Sequence, residues 1–169
     1  MCDKIRKIWN IVTTVIITVV VIFVVLLFGF RIFGLQGFTV LSGSMEPDYP
    51  TGSVIYVKEV DPNLLENHTV ITYRLSGQTV ATHRIIEIVE QNGSRLYRTK
   101  GDANEFADGS LVSPDQIIGT PVITIPFLGY LMTYIQSPSG MYAAIAVGAA
   151  ILLLLFLPEL IFPVKKKKS

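Results

Sequence analysis

The chain has 169 residues with a single cysteine; half of it is apolar and only 16% is charged. Soluble domains of this size usually carry about a quarter charged residues, so the deficit argues against a disordered or nucleic-acid-binding chain, and the length allows one modest domain. Cys2 alone can complete neither a disulfide framework nor a zinc cluster. The net charge of +1 hides a marked asymmetry. Lys4, Arg6 and Lys7 outweigh Asp3 at the start, four lysines stand at 165–168, and residues 35–140 carry six basic against eleven acidic groups. Basic ends around an acidic middle point to a membrane.

Residues 11–30 are twenty positions without a charge, rich in Val, Ile, Leu and Phe. About twenty apolar residues, at 1.5 Å rise each, cross a hydrocarbon core of roughly 30 Å. Trp9 stands where an indole favours the interface. A transmembrane helix is expected over 11–33. A cleavable signal peptide competes with that reading, but this run is longer than such a region and ends in bulky Phe28, Phe30 and Phe33. A second span is expected over 141–164, interrupted only by Pro158 and Glu159. A buried amphipathic helix is its alternative, although 151–157 is apolar all round. Positive residues near spans stay on the cytoplasmic side. Both ends, 1–10 and 165–169, are therefore expected inside, which leaves 34–140 outside or in a lumen. Asn67-His68-Thr69 and Asn92-Gly93-Ser94 fit the glycosylation acceptor pattern, which agrees weakly with that side.

The middle reads as β structure. Short β-branched and aromatic runs occur at 53–57, 70–73, 79–89, 94–99 and 117–125. Turn signals separate them: Pro50-Thr51-Gly52, Asp61-Pro62-Asn63, Ser76-Gly77, Asn92-Gly93 and Asp108-Gly109-Ser110. Asn92-Gly93 suits a tight hairpin because both residues tolerate positive φ. No helix-period stretch of real length appears between 35 and 125. The fold class is mainly β: a small antiparallel β-sheet domain flanked by two transmembrane helices.

Three segments could carry chemistry. Leu41-Ser42-Gly43-Ser44-Met45-Glu46-Pro47 follows the first span by about ten residues and sets two hydroxyls two positions apart. One serine could attack a carbonyl while the other, with a backbone N–H, faces the oxyanion. Ser, Gly and Pro are also ordinary turn residues, and the segment taken alone favours a turn. Of the two histidines, His68 lies in a polar loop-like stretch, and His83 lies in Val80-Ala81-Thr82-His83-Arg84-Ile85-Ile86. Strand alternation puts His83 on one face with Ala81 and Ile85, where an imidazole needs a hydrogen-bond partner. A structural histidine satisfies the same pattern. The third segment, running from Lys100-Gly101-Asp102-Ala103-Asn104 to Asp108-Gly109-Ser110, offers two aspartates. Either carboxylate could hold the tautomer of a histidine that takes a serine proton. The loop lacks the alternating oxygen ligands and closing glutamate of a calcium site, and a plain solvated loop also fits it. Gly101 and Gly109 permit sharp turns at both ends. Asp102, directly after a β run, suits a turn-capping role, and Asp108 is freer to reach a side chain.

Together and in this order, Ser42-Gly43-Ser44-Met45-Glu46-Pro47, Thr82-His83-Arg84-Ile85 and Lys100-Gly101-Asp102-Ala103-Asn104, with Asp108 beyond, resemble signal peptidase I of the archaeal and endoplasmic-reticulum type. The resemblance covers 35–125, and the preceding membrane helix matches as well. Ala103 departs from the family's frequent Asn, and a C-terminal span is not general to the family. The resemblance implies a β-rich catalytic domain that binds substrate as an extended strand and favours small residues at the −1 and −3 positions. It implies Ser44 as nucleophile and His83 as general base, in the place where bacterial relatives carry a lysine. It further implies Asp108 as the acid that completes a Ser–His–Asp set, Asp102 as a second, supporting acid, and Ser42 beside Ser44 in the oxyanion hole. Chemistry favours the same base, since an ordinary histidine titrates near 6.5 whereas a lysine would need a strongly depressed pKa. The implied function is a membrane-bound serine endopeptidase that removes N-terminal signal peptides from preproteins, with no cofactor and no metal. Its implied partners are preprotein signal peptides, the lipid bilayer and the secretion translocon, without nucleic acid. Its place is a cell or endoplasmic-reticulum membrane, crossed twice, with both termini cytoplasmic. A non-catalytic membrane-tethered β module and a peptidase restricted to a few dedicated substrates stand as alternatives.

Overall fold

The computed structural model describes residues 2–75, 77, 79–91 and 93–161. In chain order, α1 (Cys2–Phe28) leads through a 3-10 turn (Gly29–Phe33) into six strands. These are β1 (Leu35–Thr39), β2 (Val54–Lys58), β3 (Val70–Arg74), β4 (Val80–Gln91), β5 (Ser94–Lys100) and β6 (Ile117–Ile125), and α2 (Leu128–Gln136) and α3 (Pro138–Ile161) follow. Two compact units separate, one holding the residues up to Gly29 with those from Tyr134 onward, the other Phe30–Thr133.

In the helical unit, α1 stops short of the expected 33. It ends at Phe28 and a 3-10 turn follows, which Gly34, already in the other unit and at φ 73°, closes with its N–H on the Arg31 carbonyl at 3.1 Å. Among the described residues, one stretch, Pro138–Leu155, is long and apolar enough to cross a membrane, with a mean hydropathy of 1.9. The apolar stretch of α1, Lys7–Ile22, is shorter. Within it, Thr13 and Thr18 turn their hydroxyls back onto the Trp9 and Thr14 carbonyls at 3.0 and 2.9 Å. The two expected spans thus meet one span of sufficient length. Ser137 opens α3 just ahead of Pro138, its hydroxyl accepting from the Gly140 N–H at 3.1 Å. The helix therefore begins three residues before the expected 141. The lysines at 165–168 and Asn92 lie outside the described residues.

In the other unit, all six strands pair antiparallel in the order β1-β2-β6-β3-β4-β5. Five of them match expected runs. The sixth, β1, escapes a propensity reading because Gln36 and Gly37 interrupt it. A second difference is α2, a helix inside the segment assigned to the β-rich domain. Two consecutive hairpins put β4 between β3 and β5, with Arg74 opposite Val80 and Gln91 opposite Ser94. Strand β6 reaches the centre because Gly119 lets its backbone close on β2. A Cβ there would fall 2.0 Å from the Lys58 carbonyl oxygen. One core cluster comprises Leu65, Ile71, Tyr73, Ile85, Tyr97 and Val112. A second gathers Ile55, Val57 and Ile118, with Phe38, Val40, Tyr49 and Val80 packed against it.

Candidate active site

Ser44 sits in a turned segment that other loops pin from below. Met45 anchors it, 2% exposed. The Glu46 and Tyr49 N–H groups bond the Gly43 and Met45 carbonyls at 3.1 and 2.9 Å, and Glu46 Oε1 accepts from the Thr51 N–H and hydroxyl. The Ala103 N–H donates to the Ser44 carbonyl at 2.9 Å, and a Cβ on Gly101 would lie 2.6 Å from that oxygen. The glycine of Gly101-Asp102 therefore lets the acidic loop close against the serine turn.

His83 projects from β4, with Ile71 of β3 directly opposite. Its Nε2 is 3.2 Å from Ser44 Oγ, and its Nδ1 is 2.6 Å from Asp108 Oδ2. Ser42 Oγ lies 3.3 Å from Ser44 Oγ. The structure thus brings Ser42, Ser44, His83 and Asp108 into one hydrogen-bonded line. His68 stays apart: it is exposed and meets the site only through its backbone.

The two acids have different company. Asp108 Oδ2 takes three donors, from His83 Nδ1, from Thr99 Oγ1 at 2.6 Å and from Tyr73 Oη at 3.0 Å. Burial pushes its carboxyl up, but the Thr99 and His83 hydrogen bonds outweigh burial and hold it below the usual value. A carboxylate receiving three donors is an anion and acts only as acceptor. The proton shared with His83 therefore sits on Nδ1, and Nε2 faces Ser44 Oγ. Burial drives the Tyr73 phenol up to about 12, so it stays a neutral hydroxyl. Asp102 pairs with a different side chain. It forms a two-point pair with Arg84, Nε to Oδ1 at 2.8 Å and Nη2 to Oδ2 at 2.6 Å, and this hydrogen bonding lowers its pKa, which the His83 charge also helps to lower. Arg84 also reaches Asp48 Oδ2 at 3.1 Å and the His68 carbonyl at 3.0 Å, which ties three loops together.

The line opens into a groove of about 860 Å³. Phe38, Val40, Ile55, Val80 and Ile118 from the second core cluster line it, with Ser42, Ser44, His83 and Asn104 at the site itself. Sequence reasoning gave no role to Tyr73, Thr99 or Arg84. A lone arginine beside the histidine was the one signal available for Arg84. Tyr73 and Thr99 gave none before strand register was known.

In class, this is an antiparallel β domain with a serine–histidine–aspartate line at the mouth of a groove of mixed polar and apolar lining. No protein-family model matches the chain. It is 46% identical over 80 residues to signal peptidase I W of Bacillus subtilis (strain 168), which covers 47% of this chain and 42% of that one. It is 30% identical over 126 residues to the signal peptidase complex catalytic subunit SEC11C of Rattus norvegicus, covering 68% of this chain and 65% of the relative. The SEC11 catalytic subunit of Candida tropicalis is 30% identical over 106 residues, 57% of this chain and 63% of the relative. The chain thus spans between 42% and 65% of the length of these relatives. It belongs to the signal peptidase I family, of the archaeal and endoplasmic-reticulum type.

Proposed function

We propose that this protein is a membrane-bound serine endopeptidase that cleaves N-terminal signal peptides from preproteins. The observation that carries the reading is the line Ser44–His83–Asp108 at the groove, with contacts of 3.2 and 2.6 Å. On this reading Ser44 attacks the scissile carbonyl while His83 Nε2 takes its proton and Asp108 holds the imidazole and stabilises its charge. His83 then returns the proton to the leaving amine. Water, activated by the same imidazole, releases the acyl group from Ser44. Ser42, beside the nucleophile, supports the developing oxyanion together with the Ser44 N–H. Asp102 acts through Arg84, keeping the acidic loop against the serine turn.

A groove between β1 with its following loop and the start of β4 suits an extended peptide, which can satisfy its backbone along strand edges. Small residues at −1 and −3 would let that peptide bring its carbonyl down to Ser44. Helix α1, 27 residues long, would span about 40 Å and serve as a second crossing beside α3. Both termini would then be cytoplasmic and residues 35–140 outside, facing preproteins delivered by the translocon. The test is cleavage of a synthetic preprotein in liposomes by wild type and by Ser44→Ala. Cleavage by wild type alone is expected. Absence of cleavage by both across a broad substrate panel would favour a non-catalytic β module.

A further inference from the structure

We propose that Tyr73 and Thr99 are positioning residues: their hydroxyls fix the Asp108 oxygen that meets His83. The inference rests on reading Ser44–His83–Asp108 as catalytic. Asp108 lies outside every helix and strand, so nothing in its own backbone regularity orients its side chain. A carboxylate on such a segment loses two torsional freedoms whenever it is held toward a ring. Thr99, on the rigid edge of the sheet, holds it twice. The Asp108 N–H donates to the Thr99 carbonyl at 2.8 Å, and the Thr99 hydroxyl donates to Asp108 Oδ2 at 2.6 Å. Backbone and side chain of one residue thereby clamp backbone and side chain of the other.

Tyr73 completes the clamp from the opposite strand. It is 2% exposed, and its hydroxyl lies 3.0 Å from Asp108 Oδ2 and 3.2 Å from Thr99 Oγ1. Its ring meets the His83 imidazole edge-on, with centroids 6.4 Å apart. Register explains the convergence. Tyr73 pairs with Ala81, two residues before His83, and Thr99 pairs with Ile85, two residues after it. The two hydroxyls thus flank the histidine from the strands on either side of β4. Each hydroxyl has one proton to give, and both can give it to Oδ2. A carboxylate so held keeps its lone pair on the Nδ1 proton through the reaction.

A merely structural role for the hydroxyls would change stability and leave the chemistry alone. The experiment therefore compares Thr99→Val, Thr99→Ser and Tyr73→Phe in the full chain in liposomes, measuring kcat and KM separately on a synthetic preprotein. Removing a hydrogen bond to a charged group should lower kcat about 10–100-fold for Thr99→Val and about 3–10-fold for Tyr73→Phe, with KM within about 2-fold. Thr99→Ser should restore most of the rate, because it returns the hydroxyl. Wild-type kcat in both Thr99→Val and Tyr73→Phe would overturn the proposal, as would a loss confined to KM or equal impairment in Thr99→Ser and Thr99→Val. A second readout needs no substrate: the Nδ1 proton of His83, bonded to Asp108, should give a downfield proton resonance in the resting protein. That resonance should be lost in Thr99→Val and kept in Thr99→Ser; its persistence in Thr99→Val overturns the proposal. If wild type cleaves no preprotein, the catalytic reading fails, and the resonance alone then decides whether the hydroxyls position Asp108.

Discussion

Asp102 and Asp108 stand six positions apart on one loop, yet they live in different chemistry. Asp102 meets a guanidinium at two points. Asp108 meets the imidazole and two hydroxyls on a single oxygen. Both have pKa values below the ordinary carboxylate value, from opposite balances. The Arg84 hydrogen bond leads at Asp102, whereas burial opposes the donors at Asp108 and loses to them. The difference teaches that a carboxylate's role follows from what its partner does next. Arg84 passes its grip on to Asp48 and the His68 carbonyl, which is architecture. His83 passes its grip on to Ser44, which on the proposed reading is reactivity.

The sharpest way to break this comparison is to neutralise each acid without changing its shape. Asp108→Asn should fold normally and lower kcat by about 10⁴, the loss seen when the orienting carboxylate of a serine peptidase is replaced. Steady-state cleavage with a thermal melt checks both halves. Near-normal cleavage by Asp108→Asn, with a folded but dead Asp102→Asn, would exchange their roles.

A smaller effect should follow from the other acid. Asp102→Asn leaves the Arg84 guanidinium half-buried with its strongest partner gone, which costs about 1–3 kcal/mol. The melting temperature should fall, and activity should fall with it as the Gly101-Asp102 turn loosens from the Ser44 carbonyl. Arg84→Ala should reproduce that pair of losses, and a double-mutant cycle should show that the two substitutions are not additive. Additive losses would mean that the pair does not act as a unit.

How much of this was legible beforehand differs along the chain. Ser44, His83 and Asp108, which the structure brings together, stood out because hydroxyl, imidazole and carboxylate groups suited to acyl transfer belong to few residue types, and the chain holds only two histidines. Five strands could be read because Val, Ile, Thr and Tyr cluster in short runs. Strand β1 could not, since Gly37 carries no propensity and exists as strand only by pairing with Tyr56. Helix α2 could not, because its apolar residues merge with those of the span that follows. Tyr73 and Thr99 stayed hidden for a different reason. Their importance is a matter of register across two hairpins, and no local pattern encodes which residues flank His83 on neighbouring strands. The first span was expected over 11–33, whereas α1 ends at Phe28 and Gly29–Phe33 continue as a 3-10 turn.

Acid titration sharpens the comparison further. Asp102 and Asp108 both have folded-state pKa values below the roughly 3.9 of an unfolded aspartate, so folding favours their charged forms. Their contribution to stability is therefore fully present above the unfolded value and disappears as pH falls through the folded ones. The melting temperature should be flat above about pH 5 and drop below about pH 4. Asp102→Asn should shallow that drop by removing one of the two linked groups. An unchanged acid limb in Asp102→Asn would show that the Arg84 pair does not survive in solution.

The smallest expected effect concerns the histidine that the site does not use. His68 holds φ 71°, a left-handed backbone that costs an ordinary residue about 1 kcal/mol and glycine very little. Its N–H bonds the Ile85 carbonyl at 2.8 Å, and its carbonyl accepts from Arg84 Nη1 at 3.0 Å. Those bonds belong to the backbone, so they survive any side-chain change that tolerates this φ. The imidazole itself is exposed, away from Ser44 and Asp108. His68→Gly should therefore cleave at the wild-type rate with stability within about 0.5 kcal/mol, relief of strain offsetting the extra freedom of glycine in the unfolded chain. His68→Ala should also cleave normally but melt slightly lower, because alanine sits less easily than histidine in the left-handed region. Cleavage rates and melting curves of the two variants read this directly. A large activity loss in His68→Gly, with the fold intact, would make His68 a participant in the chemistry and would take the base assignment away from His83.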